Sequence, residues 1–296
     1  MTVDEPFDQD RLWQAYLWPS DVGPGETMLR NRYGLHNEEE LNRREHRETA
    51  KRELEIRTGK VEIPHTGDLT EWRAIHAHLF GNVYDWAGQL RTVGMSKSGR
   101  DFLHPLHFDQ FLPTALADLR AVPWPQLDRF GFVEYISYNY MRLNWAHPFR
   151  EGNGRALAIF LDRQIVDARY ELDYTRLGDD PSEWNHAAWS ACPEKYAAPT
   201  DYRPLLRIFS RITVARTDTA TLDPTDPHHL ETILATIRHT TAGRATADAI
   251  AAAGLTGSDI ATAATVPGSI EQTAASHDSE PPHPARQQSL DVQPDT

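Results

Sequence analysis

The sequence has almost no cysteine, no long hydrophobic run and no excess of basic residues. Cys192 is the single cysteine among 296 residues, so an intramolecular disulfide and a cysteine cage for a metal are excluded. The longest apolar run, residues 156–161, is far shorter than the roughly 18 residues that a membrane-spanning helix needs. A net charge of −13 argues against binding nucleic acid through a broad basic face. We therefore expect neither a membrane domain nor a nucleic-acid partner.

Aromatic residues are missing from the C-terminal part of the chain. Every Trp, Tyr and Phe lies before Thr213, and residues 217–296 hold 11 acidic and three basic residues. Such a segment has too little bulky apolar surface for a strong core. We predict a folded domain over residues 1–216, an acidic, partly helical extension over 217–266 and a disordered tail over 267–296.

The N-terminal ten residues are acidic and contain no Lys or Arg, the opposite of a secretory signal peptide. With a single cysteine, this composition predicts a cytoplasmic location. Delivery by a specialised secretion system stays open.

Apolar periodicity predicts a mainly helical fold. Residues 37–57, 69–86 and 108–119 fit helices, and two more are expected around Phe132 and Phe160. The one β-like region, 89–102, reads as a small hairpin flap. The predicted class is therefore all-α with a β-hairpin flap. His76 and His78 would point to different faces of their helix, where we expect solvated or capping roles.

The segment that carries chemistry is His-Pro-Phe-Arg-Glu-Gly-Asn-Gly-Arg at 147–155, between the last two helices. Glycines at 152 and 154 free the backbone at a helix N-terminus, where unpaired N–H groups favour a phosphate. Asn153 can add a side-chain donor and Arg155 a bidentate clamp. Taken one at a time, these residues also fit a glycine-rich turn with a capping Asn and a surface Arg.

Two further side chains of the segment suit phosphate chemistry. Glu151 could hold Mg²⁺ through oxygen while phosphates supply other ligands. His147 is the nearby group that can accept a proton near neutral pH. This combination of a phosphate cradle, a metal ligand, a cationic clamp and a base predicts nucleotide-phosphate transfer.

The nine residues match every specified position of the Fic family signature, His-x-Phe-x-Asp/Glu-Gly-Asn-Gly-Arg. Segment 79–91 also resembles the family's lead-in to its flap, and 202–205 its closing helix, so that the resemblance covers about residues 10–212. The resemblance implies a protein adenylyltransferase that uses ATP as donor and Mg²⁺ as cofactor. Such an enzyme would transfer AMP to a Ser, Thr or Tyr hydroxyl of a target protein.

The resemblance also implies roles for individual residues. His147 would deprotonate the target hydroxyl, Glu151 would hold Mg²⁺ and Arg155 would stabilise the transferred charge. The nucleotide-binding residues would be Phe149, which also anchors the loop in the core, with Gly152, Asn153, Gly154 and Arg155. A target-docking flap would align the target backbone by strand addition through Thr92, Val93, Gly94, Met95 and Lys97.

One position departs from the pattern of many family members. Ala158 stands where they carry a second arginine that reaches the γ-phosphate. This departure leaves room for another nucleotide donor, a weak enzyme, or replacement by Arg150 or Arg163. Phosphotransfer, other nucleotidyl transfer and a non-catalytic nucleotide-binding module stay open as alternatives.

Many relatives are inhibited by a helix with the pattern Ser/Thr-x-x-x-Glu-Gly/Asn. Residues 49–53 fit its first part, but Leu54 fills the last position, so we read them as an ordinary charged helix. The chain then resembles the toxin-like class, whose partner is a small antitoxin carrying the inhibitory Glu helix.

Overall fold

The computed structural model describes residues 9–19, 28–177, 182–192 and 201–216. The predicted extension at 217–266 and tail at 267–296 lie outside these residues. The described chain is mostly helical, which confirms the predicted fold class. Its helices are α1 Gln9–Gln14, α2 Glu38–Arg57, α3 Leu69–Phe80, α4 Phe108–Arg120, α5 Arg129–Ala146, α6 Asn153–Gln164, α7 Ser182–Ser190 and α8 Arg203–Ile212.

The core forms where α3 packs against α2 and α6 while α5 packs against α4, α6 and α8. Trp72 of α3 is fully buried and its ring stacks on Phe160 of α6 at 5.6 Å between centroids. Burying side chains of this size stabilises the fold by about 1.5–3 kcal/mol each. The α3–α6 contact therefore fixes the start of α6, which carries the glycine-rich segment.

Side-chain caps explain why the predicted helices begin where they do. Asn37 Oδ1 accepts a hydrogen bond from the Glu40 N–H at 2.9 Å, and Asp68 Oδ1 accepts one from the Thr70 N–H at 2.8 Å. The helices predicted at 37–57 and 108–119 are confirmed as α2 and α4.

The third helix is shorter than predicted. It ends at Phe80 rather than near residue 86, and the chain turns so that the Tyr84 ring stacks on Trp86 at 4.4 Å. The turn also brings the Tyr84 hydroxyl to Glu45 of α2. Apolar spacing continued past Phe80 because these turn residues are themselves buried.

The β structure differs from the prediction in two ways. Strands β1 (Ser96–Lys97) and β2 (Arg100–Asp101) form the hairpin, which spans far less than the predicted 89–102. A second antiparallel pair, β3 (Tyr170–Leu172) with β4 (Thr213–Ala215), was not predicted. Its three-residue strands are too short and too far apart in sequence to leave a local pattern.

None of the helices in the described ranges is both long and apolar enough to cross a bilayer.

Candidate active site

The loop between α5 and α6 has a left-handed residue at each end. His147 caps α5 with φ 43°, and Gly152 caps α6 with φ 76°. A Cβ at Gly152 would lie 2.1 Å from the Phe80 ring, so only glycine fits there. Gly154 differs, because a Cβ there would meet nothing within 4 Å. Gly152 therefore shapes the loop, whereas Gly154 leaves space open at the N-terminus of α6.

Asn153 holds the loop closed from inside. Its Oδ1 accepts from the Phe149 N–H, and its Nδ2 donates to the Phe149 carbonyl, both at 2.8 Å. The amide predicted as a phosphate donor is thus engaged within the loop. The Phe149 ring is fully buried and is not among the residues that line the cavity, so its role in nucleotide binding stays a prediction.

His76 is a structural part of the site that the sequence analysis missed. It is fully buried, not solvated, because its ring stacks on Phe149 at 3.9 Å. Its Nδ1 accepts from the Gly88 N–H at 2.8 Å, so Nε2 carries the proton and donates to the Glu151 carbonyl at 2.9 Å. Burial lowers the pKa of His76 to about 4. This neutral ring ties the lead-in of the flap to the loop.

A cavity of about 450 Å³ opens beside the loop, within the range of small-molecule sites. Its walls come from the loop, the flap and helices α2, α5, α6 and α7. The residues of the glycine-rich segment that line it are His147, Glu151, Gly152, Asn153, Gly154 and Arg155. Aromatic residues also line the cavity, namely Phe102, Tyr140, Trp184 and Trp189.

His147 is presented to this cavity as a neutral imidazole. Its Nδ1 lies 3.3 Å from the Asn144 carbonyl, which can only accept, so Nδ1 carries the proton and the Nε2 lone pair is left to accept another. The ring stacks on Phe102 at 3.8 Å between centroids. Burial, and then the charges of Arg91 and Lys97, lower the pKa of His147 to about 3. The sequence analysis expected a group that accepts a proton near neutral pH, whereas these surroundings lower the pKa of the ring.

Arg155 is not the free clamp that the sequence predicted. Its Nη2 lies 2.5 Å from Glu45 Oε1, and its Nη1 donates to Thr49 Oγ1 at 3.1 Å. Burial raises the pKa of Glu45, but Arg155 and the hydrogen bond from Tyr84 more than offset this, and the pKa lies below its usual value. Helix α2 thus fixes Arg155 as a positive charge in the cavity wall. Glu45 is too far away in sequence for the motif to indicate it.

Glu151 fits a single protein ligand for Mg²⁺. Its side chain is 44% exposed and lines the cavity, with Oε1 accepting from the Gly152 N–H at 2.9 Å and lying 3.7 Å from Arg155 Nη2. Within the described ranges no three His, Cys, Asp or Glu residues cluster as a metal cage. One carboxylate alongside substrate phosphates is how Mg²⁺ is often bound.

The two arginines considered as replacements at position 158 lie elsewhere. Arg163 pairs with Glu71, and the Arg150 guanidinium lies 4.1 Å from the centre of the Trp13 ring. Neither arginine is among the residues that line the cavity. A residue that does line it is His46 of α2. His46 was not singled out from the sequence because its helix lies outside the motif.

The predicted docking flap divides into a hairpin end and a segment that precedes it, in which Thr92 is exposed and Val93 is not. Val93 is fully buried, and the Thr92 N–H donates to the Tyr16 hydroxyl at 3.3 Å, so both precede the flap rather than form it. Met95 and Lys97 line the cavity, and the Lys97 carbonyl accepts from Trp189 Nε1 at 3.0 Å. Gly94 is half-buried between these two parts.

Helical fold, phosphate cradle and flap together define a nucleotidyltransferase domain, and comparisons identify its family. The Fic/DOC family matches over residues 67–165. The chain is 30% identical over 211 residues to the probable protein adenylyltransferase Fic of Escherichia coli K12, which covers 71% of this chain and 96% of that protein. The chain belongs to the Fic/DOC family and is an enzyme of the nucleotidyltransferase class.

Two other similar proteins come from Bartonella. The protein adenylyltransferase VbhT of B. schoenbuchensis is 33% identical over 155 residues, which are 52% of this chain and 32% of that relative. The crystal structure of BepC from B. tribocorum, with bound AMPPNP, superposes with a TM-score of 0.59 at 23% identity and covers 70% of this chain and 99% of that one. This structural likeness supports the fold.

Proposed function

We propose that the enzyme transfers AMP from ATP to a Ser, Thr or Tyr hydroxyl of a target protein. The observation that carries this proposal is that the His147 Nε2 lone pair and the N-terminus of α6 at Gly154 share one cavity. A base and a phosphate cradle are the two parts that nucleotidyl transfer to a hydroxyl needs. The names of the relatives in E. coli and Bartonella support adenylylation as the reaction.

In this reaction His147 Nε2 accepts the proton of the target hydroxyl while its oxygen attacks the α-phosphorus of ATP. A bond forms between that oxygen and the α-phosphorus, and the bond from the α-phosphorus to the bridging oxygen breaks, releasing pyrophosphate. Backbone N–H groups at the start of α6 stabilise the phosphate charge. The negative charge of the bound phosphates also favours the protonated form of His147, so the pKa of the buried ring is higher during the reaction than in the free enzyme.

Glu151 is the residue that would hold Mg²⁺, and the ion would neutralise part of the phosphate charge. Arg155, held by Glu45, adds a fixed positive charge to the same wall. The flap residues Met95 and Lys97 would align the target backbone.

The proposal includes restraint from outside the chain by a small partner with an inhibitory Glu helix. The chain's own candidate, Glu53, is buried against Arg57 at 2.8 Å and is not a residue of the cavity wall. The location would be cytoplasmic, with secretion by a specialised system as the alternative.

The test uses the full chain, Mg²⁺ and cell lysate with ATP labelled at the α- or the γ-phosphate. We expect protein bands labelled from the α-position alone, and at least about a hundredfold less label with His147→Ala, because a positioned base contributes 10²–10⁴ in rate. Nucleotide binding by that variant should persist. His107→Ala removes an exposed histidine outside the cavity wall and serves as the matched control.

Phosphoryl transfer is the second candidate, favoured by Ala158 in place of an arginine that would contact the γ-phosphate. Label from the γ-position alone would establish it in place of adenylylation. Nucleotide binding without any transfer would point instead to a non-catalytic binding module.

A further inference from the structure

Arg91 is a buried arginine without a carboxylate partner. Its side chain is 2% exposed, and none of the ion pairs in the described part of the chain includes it. Burial lowers its pKa to about 10, which still leaves it charged at neutral pH. A buried charge is costly unless it is well hydrogen-bonded, so an unpaired buried arginine calls for a specific role.

Among the residues that the structure describes, the guanidinium of Arg91 donates only to backbone carbonyls, and these belong to the two halves of the site. On the catalytic loop side, Nε donates to the His147 carbonyl at 2.7 Å and Nη2 to the Ala146 carbonyl at 3.3 Å. On the flap side, Nη1 donates to the Val93 carbonyl and Nη2 to the Leu103 carbonyl, both at 2.5 Å. Val93 and Leu103 flank the hairpin on either side, so one side chain joins both arms of the flap to the last residues of α5.

The backbone of Arg91 makes the same connection. Its N–H donates to the Pro148 carbonyl at 2.8 Å, and its guanidinium lies 5.0 Å from the centre of the Phe108 ring at the start of α4. His147 therefore sits in its left-handed conformation with its own carbonyl and that of Pro148 both bound by Arg91. A change at Arg91 would release the backbone that presents the His147 ring.

We propose that Arg91 is a positioning residue: it joins the flap to the catalytic loop through the carbonyls that it binds, and it adds a positive charge to the surroundings of the His147 ring. This role rests on the proposed function of His147 as the base. Arg91 itself is not among the residues that line the cavity, so it acts through His147 and the flap.

Other charged and titratable groups surround the ring, and a test must separate Arg91 from them. Lys97 also lowers the pKa of His147, as burial does most strongly. The other groups that share the cavity or the Arg91 environment are Tyr16, His46, Arg100, His104, Tyr140, Glu151, Arg155 and Cys192. Arg91→Lys removes the guanidinium contacts but keeps the charge, so the difference between Arg91→Gln and Arg91→Lys in the His147 titration reports the Arg91 charge.

The experiment follows the His147 ring signal by NMR from about pH 3 to 7.5 in the full chain, assigned with His147→Ala. In the wild type we expect no titration above about pH 4. Arg91→Gln removes the charge and should raise the pKa of His147, because a nearby like charge disfavours the protonated imidazole. Arg91→Lys keeps the charge and should leave the pKa low. Arg73→Gln, which removes an exposed arginine that donates to the Gly88 carbonyl, is the matched control.

Transfer assays on the same variants report positioning. With Arg91→Lys and Arg91→Gln we expect kcat to fall at least about tenfold, because misplacement by an ångström can cost a hundredfold, while KM for the nucleotide stays within twofold. An equal His147 titration in wild type, Arg91→Gln and Arg91→Lys would overturn the charge role. An unchanged kcat in both variants would overturn the positioning role.

The wild type alone keeps the proposal falsifiable if a variant fails to fold. A wild-type His147 that titrates near pH 6.5 would show that its environment does not keep the ring neutral. This measurement needs no transfer activity, so a failure of the proposed adenylylation is distinguishable from a failure of the Arg91 role.

Discussion

The two glycines of the loop show how residues of one type in one motif serve different purposes. Gly152 has a positive φ and no room for a Cβ against Phe80. Gly154 has neither constraint, since a methyl group there would enter open space at the start of α6. The motif requires the first glycine for folding of the loop, and its second glycine leaves the approach to the helix N-terminus clear.

Substitution of each glycine by alanine separates folding from binding. Gly152→Ala should lower the free energy of unfolding by several kcal/mol, on the order of an overpacked or strained buried site. Gly154→Ala should leave stability unchanged or slightly higher, because alanine is the better helix former by about 1 kcal/mol. It should nevertheless weaken nucleotide binding at least about tenfold by obstructing a phosphate. Denaturant unfolding and calorimetric titration with ATP measure the two effects, and full ATP affinity in Gly154→Ala would show that phosphates bind elsewhere.

At the scale of elements, α2 acts as part of the active site although it lies outside the signature. It packs on α3 and supplies Glu45 and Thr49 to the Arg155 side chain, and His46 to the cavity wall. The Tyr84 hydroxyl, which follows α3, donates to the same Glu45 carboxylate. Arg155 is thus oriented by two elements that precede the loop by more than 60 residues, and its charge is fixed before any nucleotide binds.

Loss of the Glu45 carboxylate should therefore be costly. Glu45→Gln removes the buried counter-charge of Arg155 and leaves it only the partly exposed Glu151 carboxylate at 3.7 Å. It should lower the free energy of unfolding by about 3 kcal/mol, as breaking buried ion pairs does. Glu39→Gln is the matched control, since its pair with Arg43 is exposed and such pairs contribute about 0–1 kcal/mol. Urea unfolding at pH 7 compares the two. Equal stabilities would mean that Arg155 reaches water or another partner when Glu45 is neutral.

At the scale of the whole molecule, the described fold is closed by its last elements. Leu205, Phe209 and Ile212 of α8 are at most 1% exposed, and β4 pairs with β3. Beyond β4, the Arg216 N–H donates to the Arg169 carbonyl at 2.8 Å. The core thus uses residues up to Ile212, and backbone pairing continues to Arg216. The domain boundary near residue 216 stays a prediction.

Truncation tests this boundary. A chain ending at residue 216 should show the same Tm as the full chain and the same transfer activity per molecule, because every buried contact described above is kept. A chain ending at residue 200 lacks α8 and β4 and should fail to fold cooperatively. Thermal unfolding followed by circular dichroism distinguishes them, and a Tm lowered by several degrees in the first truncation would assign a stabilising role to residues 217–296.

The sequence by itself determined the helical class, most helix positions and the family, because apolar periodicity, caps and a nine-residue signature are local patterns. Tertiary structure alone decided what the signature residues do. Asn153 hydrogen-bonds to the Phe149 backbone, and Arg155 forms an ion pair with Glu45. His76 and Arg91 connect the flap and its lead-in to the loop. Apart from the contact between Asn153 and Phe149, which are four residues apart, these contacts join residues that are distant in sequence, so no local pattern predicts them. The hydrogen-bond partners and the burial of a side chain are decided only when the helices pack. The motif alone therefore could not predict the lowered pKa of His147, which depends on its surroundings in the fold.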